Sequence, residues 1–148
     1  MITISNEFLT ATFSEVGAEL KSLKCDGQEY IWYGDPKFWT GSSPVLFPIC
    51  SGLKDDEFIY EGKTYKLQKH GFARRATFDV ETVDGNTATF LLSSENCPQD
   101  NYPFKYEFRI IYTLVGKKVN VEYNIRNLTD GNMYFSVGAH EAYHCPEG

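Results

Sequence analysis

Over residues 118–127 the apolar Val119, Val121, Tyr123 and Ile125 alternate with Lys118, Asn120, Glu122, Asn124 and Arg126. A period of two puts the apolar set on one face of an extended strand. Similar short runs of β-branched and aromatic residues recur along the chain, separated by Gly, Asn, Asp and Pro. They predict strands over residues 2–4, 9–14, 18–25, 29–32, 76–83, 87–94, 104–114, 118–127 and 133–137. Asp26-Gly27 and Asp84-Gly85 each separate two such runs, and Asp-Gly is a strong hairpin cue because Gly accepts a positive φ. Val115-Gly116-Lys117 joins the two longest runs into a third hairpin.

Helical periodicity is missing. The best stretch, residues 14–20, is interrupted by Gly17 and reads equally well as a turn and a strand. The expected fold is therefore all-β, an antiparallel β-sandwich, because hairpin connections without helical crossovers do not build a parallel sheet. Between Gly34 and Leu67 the pattern loosens. The segment Asp35-Pro36-Lys37-Phe38-Trp39-Thr40-Gly41-Ser42-Ser43-Pro44 suits the wall of a site or a loop packed over a sheet end. There is no internal repeat, low-complexity tract or linker, so residues 1–148 are expected to form a single domain, long enough to enclose a core without staples.

Composition narrows the partners. A net charge of -6 supplies no basic patch for nucleic acid or an anionic membrane, and neither is an expected partner. The first residues carry no basic segment followed by an apolar stretch, and no apolar run approaches roughly 18 residues, so a cytoplasmic protein is expected. Cys25, Cys50, Cys97 and Cys145 are dispersed without C-x-x-C spacing, which argues for reduced, mostly buried thiols rather than a zinc or redox motif. Aromatic residues reach 16%, a content that suits β-structure and also suits sugar binding, since the apolar faces of pyranose rings pack on aromatic planes.

Chemistry centres on two of the three histidines. His70 stands in Lys69-His70-Gly71-Phe72-Ala73-Arg74, and His140 in Gly138-Ala139-His140-Glu141-Ala142-Tyr143. Histidine exchanges protons near neutrality, and small neighbours leave the imidazole and the backbone room to meet a ligand. Upstream, Pro44-Val45-Leu46-Phe47-Pro48 brackets an apolar run with prolines that stiffen it. Taken singly, each motif is as compatible with a turn histidine or a packed loop as with a site. His144 follows His140 by four residues, but the context is not helical and no Asp or Glu completes a ligand set, so no metal site is expected.

In this order the segments resemble the aldose 1-epimerase (mutarotase) family, in particular its LacX-like branch. The motifs are Pro44-Val45-Leu46-Phe47-Pro48, Leu53-Lys54-Asp55, Tyr60-Glu61-Gly62-Lys63-Thr64-Tyr65, His70-Gly71-Phe72-Ala73-Arg74 and Ser136-Val137-Gly138-Ala139-His140. The resemblance implies the N-terminal part of a galactose mutarotase-like β-supersandwich and an isomerase that interconverts the α and β anomers of a small-molecule aldose. It implies no cofactor, because the opened sugar supplies its own carbonyl. It implies His140 as general acid at the ring oxygen and His70 as hydrogen-bonding partner at or beside that oxygen, both acting as donors. Arg74 is a candidate substrate-binding residue, or else a surface charge.

Two departures from the family pattern stand out. Gly52 occupies a position where many members carry an Arg that touches the sugar. The family's catalytic base is a Glu in the C-terminal half of a chain roughly twice this length, whereas this sequence ends at Glu147-Gly148. Glu141 is a poor substitute, since neighbours on an extended segment point to opposite sides. The competing expectations are a carbohydrate-binding module without catalysis and a plain β-sandwich interaction domain. Half of a supersandwich would also expose sheet edges and apolar faces that invite pairing with another copy. The acidic balance disfavours a phosphorylated sugar.

Overall fold

An Asp-Gly and a Glu-Gly pair close two of the hairpins. Asp26 and Gly27 both take positive φ between Cys25 and its partner Gln28, and Glu61 and Gly62 do the same between Tyr60 and Lys63. This is the backbone twist that two-residue hairpins require. The structure, a computed structural model, describes residues 1–98 and 100–145. In chain order the strands are β1 (Ile2–Ser5), β2 (Leu9–Phe13), β3 (Leu20–Cys25), β4 (Gln28–Glu29), β5 (Val45–Leu46), β6 (Glu57–Tyr60), β7 (Lys63–Lys66), β8 (Asp79–Asp84), β9 (Thr87–Ser93), β10 (Tyr106–Val115), β11 (Lys118–Asn127) and β12 (Gly138–Ala139). Every strand pairing between them is antiparallel. Among the described residues the helical content is two 3₁₀ turns, Lys54–Asp56 and Ala73–Arg75, and no helix is long and apolar enough to cross a membrane.

Two four-stranded sheets, ordered β1-β2-β3-β4 and β11-β10-β9-β8, make the sandwich, and two ribbons, β12-β5 and β6-β7, complete it. The longest pairing joins β10 to β11 in unbroken register from Tyr106–Asn127 to Val115–Lys118. Along β10 the residues Tyr106, Phe108, Ile110, Tyr112 and Leu114 are buried, as a period of two demands. Between them, on the other face, Arg109 holds Glu81 through Nε and Nη2 and Glu107 through Nη1.

The core is aromatic and joins both sheets. Phe13 of β2 packs on Tyr112 of β10 with ring centroids 4.4 Å apart and on Phe90 of β9 at 5.7 Å. Tyr112 is buried and donates its hydroxyl to the Ala18 carbonyl at 3.0 Å, while burial pushes its pKa upward. Phe47, fully buried, meets Phe108 at 4.7 Å and Tyr106 at 5.3 Å.

Two expected strands are not formed as drawn. Residues 133–137 run as irregular chain, and pairing starts only at Gly138. There the alternation is used for packing, with Phe135 against Phe47 and Tyr134 against Phe104, while Ser136 bonds across to residues 48–50. The strand expected over 29–32 stops at Glu29: Tyr30 N–H still reaches the Leu23 carbonyl at 2.9 Å, but the N–H groups of Leu23 and Ile31 turn to the Glu29 carboxylate.

Candidate active site

Residues 44–51 are the spine on which both histidine segments are hung. On one side β5 pairs with β12, Leu46 opposite Gly138 and Val45 opposite Ala139. The pairing extends at both ends, with His140 N–H donating to the Pro44 carbonyl at 3.1 Å and Ser136 N–H to the Pro48 carbonyl at 2.8 Å. On the other side Phe47 bridges Gly71 in parallel sense, and its carbonyl accepts from Phe72 and Ala73, each at 3.1 Å. His70 N–H donates to the Ser51 carbonyl at 3.0 Å. Gly71 has to be glycine there: its φ is +67°, and a Cβ would stand 2.3 Å from the Phe47 carbonyl oxygen.

Cys50 links the two sides. Its carbonyl oxygen lies 2.7 Å from His70 Nδ1, its N–H donates to Ser136 Oγ at 3.0 Å, and its Sγ packs over Gly138, 3.0 Å from where a Cβ would be. A carbonyl oxygen only accepts, so Nδ1 of His70 carries a proton. In the neutral ring Nε2 then offers a lone pair, and donation from Nε2 requires the doubly protonated imidazole. His70 is half-buried and holds φ at +68°, in the left-handed region that a non-glycine residue enters at a cost of roughly 1 kcal/mol.

His140 is exposed, and its ring lies against the Trp39 indole, with centroids 4.9 Å apart and planes at 47°. Glu141 turns the other way. With Ala139, Tyr143, Tyr112 and Tyr123 it lines a cavity of about 100 Å³ under β11, so it does not share His140's side. Burial, then the nearby charge of Glu141 and Cys50, pushes the Tyr123 pKa up to about 12. A larger cavity of about 510 Å³ lies between the β6-β7 ribbon and residues 134–136, walled by Tyr60, Tyr102, Phe104 and Phe135. Neither histidine lines either cavity.

Arg74 follows the His70 loop in the Ala73–Arg75 turn. Its Nη2 reaches the Lys69 carbonyl at 3.5 Å, and its buried Nε has no hydrogen-bond partner. Burial, and after it the charge of Arg75, pulls its pKa below the ordinary arginine value. Because Nε is enclosed, only the Nη groups of Arg74 are left to meet a ligand. The position of Gly52 is open, and the nearest atoms to a Cβ there would be the Lys69 stem at 3.8–3.9 Å.

Comparison with known proteins gives this arrangement a family. The model of the aldose 1-epimerase family matches residues 1–148. The chain belongs to the aldose 1-epimerase family. It is 40% identical over 152 aligned residues to the plasmid-borne protein LacX of Lactococcus lactis subsp. lactis, covering 98% of this chain and 51% of that protein. Among solved structures it superposes on a galactose mutarotase related enzyme from Lactobacillus acidophilus with a TM-score of 0.93 at 40% identity, over 98% of this chain and 49% of that one. A galactose mutarotase-like protein from Lactobacillus casei gives a TM-score of 0.92 at 36% identity, over 97% and 49%. The chain thus spans about half the length of the relatives it matches and corresponds to their N-terminal half, with the all-β, mutarotase-like fold that the motifs implied.

In this aldose 1-epimerase family member, reading the sequence missed residues that hold the site. Glu19 accepts the N–H groups of Ser42 and Ser43 at 2.7 and 2.9 Å, pinning the loop that carries Trp39. Glu29 organises residues 30–32, where Ile31 bridges Tyr143 and Trp32 N–H donates to the Ala142 carbonyl, just beyond His140. No motif marks either glutamate, because the bonds that hold the site are to backbone N–H groups, which no residue type at a fixed spacing announces. Among the described residues no three or more His, Cys, Asp or Glu side chains converge as a metal site would need.

Proposed function

We propose that this chain carries the histidine part of the site of an aldose 1-epimerase-like isomerase, within a single domain over residues 1–148 that is the N-terminal portion of a longer mutarotase-like unit. The observation that carries the reading is that both family-motif histidines are bonded to one short segment, His140 to Pro44 and His70 to Cys50 and Ser51. Ring opening removes the proton from the anomeric hydroxyl, whose electron pair forms the C1 carbonyl as the bond from C1 to the ring oxygen breaks and that oxygen takes a proton. Rotation about C1–C2 and closure on the other carbonyl face yield the second anomer.

In this scheme exposed His140 delivers the proton to the ring oxygen. His70, whose Nδ1–H donates to the Cys50 carbonyl, meets the sugar through Nε2, at or beside that oxygen as a donor in the doubly protonated ring, and Arg74 meets a hydroxyl through its Nη groups. The substrate is an unphosphorylated aldose in a cytoplasmic setting, and no cofactor takes part.

One observation favours a second reading, a carbohydrate-binding module without catalysis. Among the described residues no carboxylate forms an ion pair with either imidazole, and Glu141 faces the opposite cavity. Polarimetry on freshly dissolved α-galactose and α-glucose separates the two. The isomerase accelerates mutarotation above the buffer rate and His140→Ala removes most of that acceleration; a binder holds the sugar while the rate stays at the blank.

A further inference from the structure

The His140 ring is held by an element that the family motifs do not include, the loop over residues 34–43. Trp39 is locked into this loop from several directions. Its N–H donates to the Asp35 carbonyl at 2.9 Å, and its own carbonyl accepts the Trp32 indole N–H at 2.8 Å. Gly41 leaves the space into which the indole folds back, since a Cβ at 41 would stand 2.5 Å from the ring. Gly34, at φ +82°, lets the chain cross Thr40, whose carbonyl oxygen would lie 2.7 Å from a Cβ. The same loop and the proline that follows it also grip the backbone around His140, with the Ser42 carbonyl accepting Ala142 N–H at 2.8 Å and the Pro44 carbonyl accepting His140 N–H at 3.1 Å.

Two glycines, two hydrogen bonds on the Trp39 backbone and the Glu19 carboxylate therefore converge on holding one indole against one imidazole. An imidazole packed against an aromatic ring has fewer rotamers to visit, and an exposed acid without such a neighbour would spend much of its time misdirected. The electron-rich indole face tolerates its neighbour in either charge state, as an acid that gives up and regains a proton needs.

We propose that Trp39 is the positioning residue of His140, fixing the ring so that its edge meets the sugar ring oxygen. This rests on the reading of His140 as the acid and adds a residue that acts through it. It also explains why so short a loop carries glycine at both 34 and 41 around a tryptophan.

The test uses the full chain with labelled histidine, and compares Trp39→Leu, Trp39→Phe, Gly41→Ala and His140→Ala. In the wild type the ring protons of His140 are displaced upfield by the indole relative to those of His144. Trp39→Leu moves them to the His144 position, Trp39→Phe restores much of the displacement, and Gly41→Ala, which evicts the indole without deleting it, mimics Trp39→Leu. In polarimetry Trp39→Leu lowers kcat about tenfold with little change in KM, the size expected of a misaligned group, and Trp39→Phe recovers most of the loss. His140 resonances that ignore Trp39→Leu overturn the inference, as does an unchanged kcat in that variant while His140→Ala is inactive; the reading of His140 then stands. A His140→Ala enzyme with an intact rate overturns the reading instead. The resonances need no turnover, so they decide the positioning even for a chain whose rate equals the buffer blank.

Discussion

His70 sits where its side chain alone would not take it. A left-handed backbone, a bond from its own N–H to Ser51 and another from Nδ1 to Cys50 over-determine its position, and Gly71 is the residue that makes this fit. With φ at +67° and the Phe47 carbonyl oxygen 2.3 Å from any Cβ, Gly71→Ala has to push apart the segment that aligns both histidines. The expected loss is about 3 kcal/mol, read from urea unfolding monitored by tryptophan fluorescence. An alanine variant as stable as wild type would show that the Phe47–Gly71 contact yields freely. The motif His70-Gly71 was visible in the sequence, and the small residue beside the histidine did signal a close backbone approach. The tautomer was not visible, because it depends on a carbonyl twenty residues away.

At the scale of elements, the hairpins were legible and the β12-β5 ribbon was not. β10 and β11 declare themselves by alternation over ten residues each. β5 and β12 are two residues long and carry no periodic signal, yet they align the site. What stands in for periodicity is a set of carboxylate to backbone bonds. Glu29 is the clearest: burial opposes its charge, but the Ser22 hydroxyl and the N–H groups of Ile31, Leu23 and Tyr30 outweigh that and hold its pKa below the ordinary value of 4.5. A depressed folded pKa contributes stability that is present above pH 4.5 and is lost as pH falls through the lower folded value. Glu29→Gln is therefore expected to cost about 1 kcal/mol at neutral pH, allowing for partial exposure to solvent, and to flatten the acid limb of the stability profile. Thermal melts of both proteins between neutral and acid pH check this, and parallel acid limbs would contradict it.

For the whole molecule the feature that bears on assembly is the face beyond β11. The sheet order ends at β11, whose outer edge has no strand beside it among the described residues, and Val121 is 40% exposed on its apolar face. Tyr134, Phe135 and Ile59 are likewise exposed around the larger cavity. An unpaired ten-residue edge with apolar neighbours is a template for another strand. Sedimentation velocity on the chain is expected to show association that grows with concentration, and Val121→Lys to suppress it by placing a charge on that face. A single species of unchanged size across concentrations would show that the edge is inert.

The residue pattern was sufficient to specify the all-β class, the hairpins around Gly27, Gly85 and Gly116, and the motif histidines, though Asp84 and Val115 prove to be paired strand residues rather than turn residues; each is encoded within a few neighbouring positions by alternation, by tolerance of positive φ or by residue type. It could not specify that Cys50 joins the two histidine segments, that Glu141 lines the cavity under β11, or that Trp39 packs against the His140 ring. Those relations are contacts between stretches far apart in the chain, such as Cys50 N–H on Ser136 Oγ across 86 residues, and they exist only once the aromatic core around Phe47 has brought the stretches together.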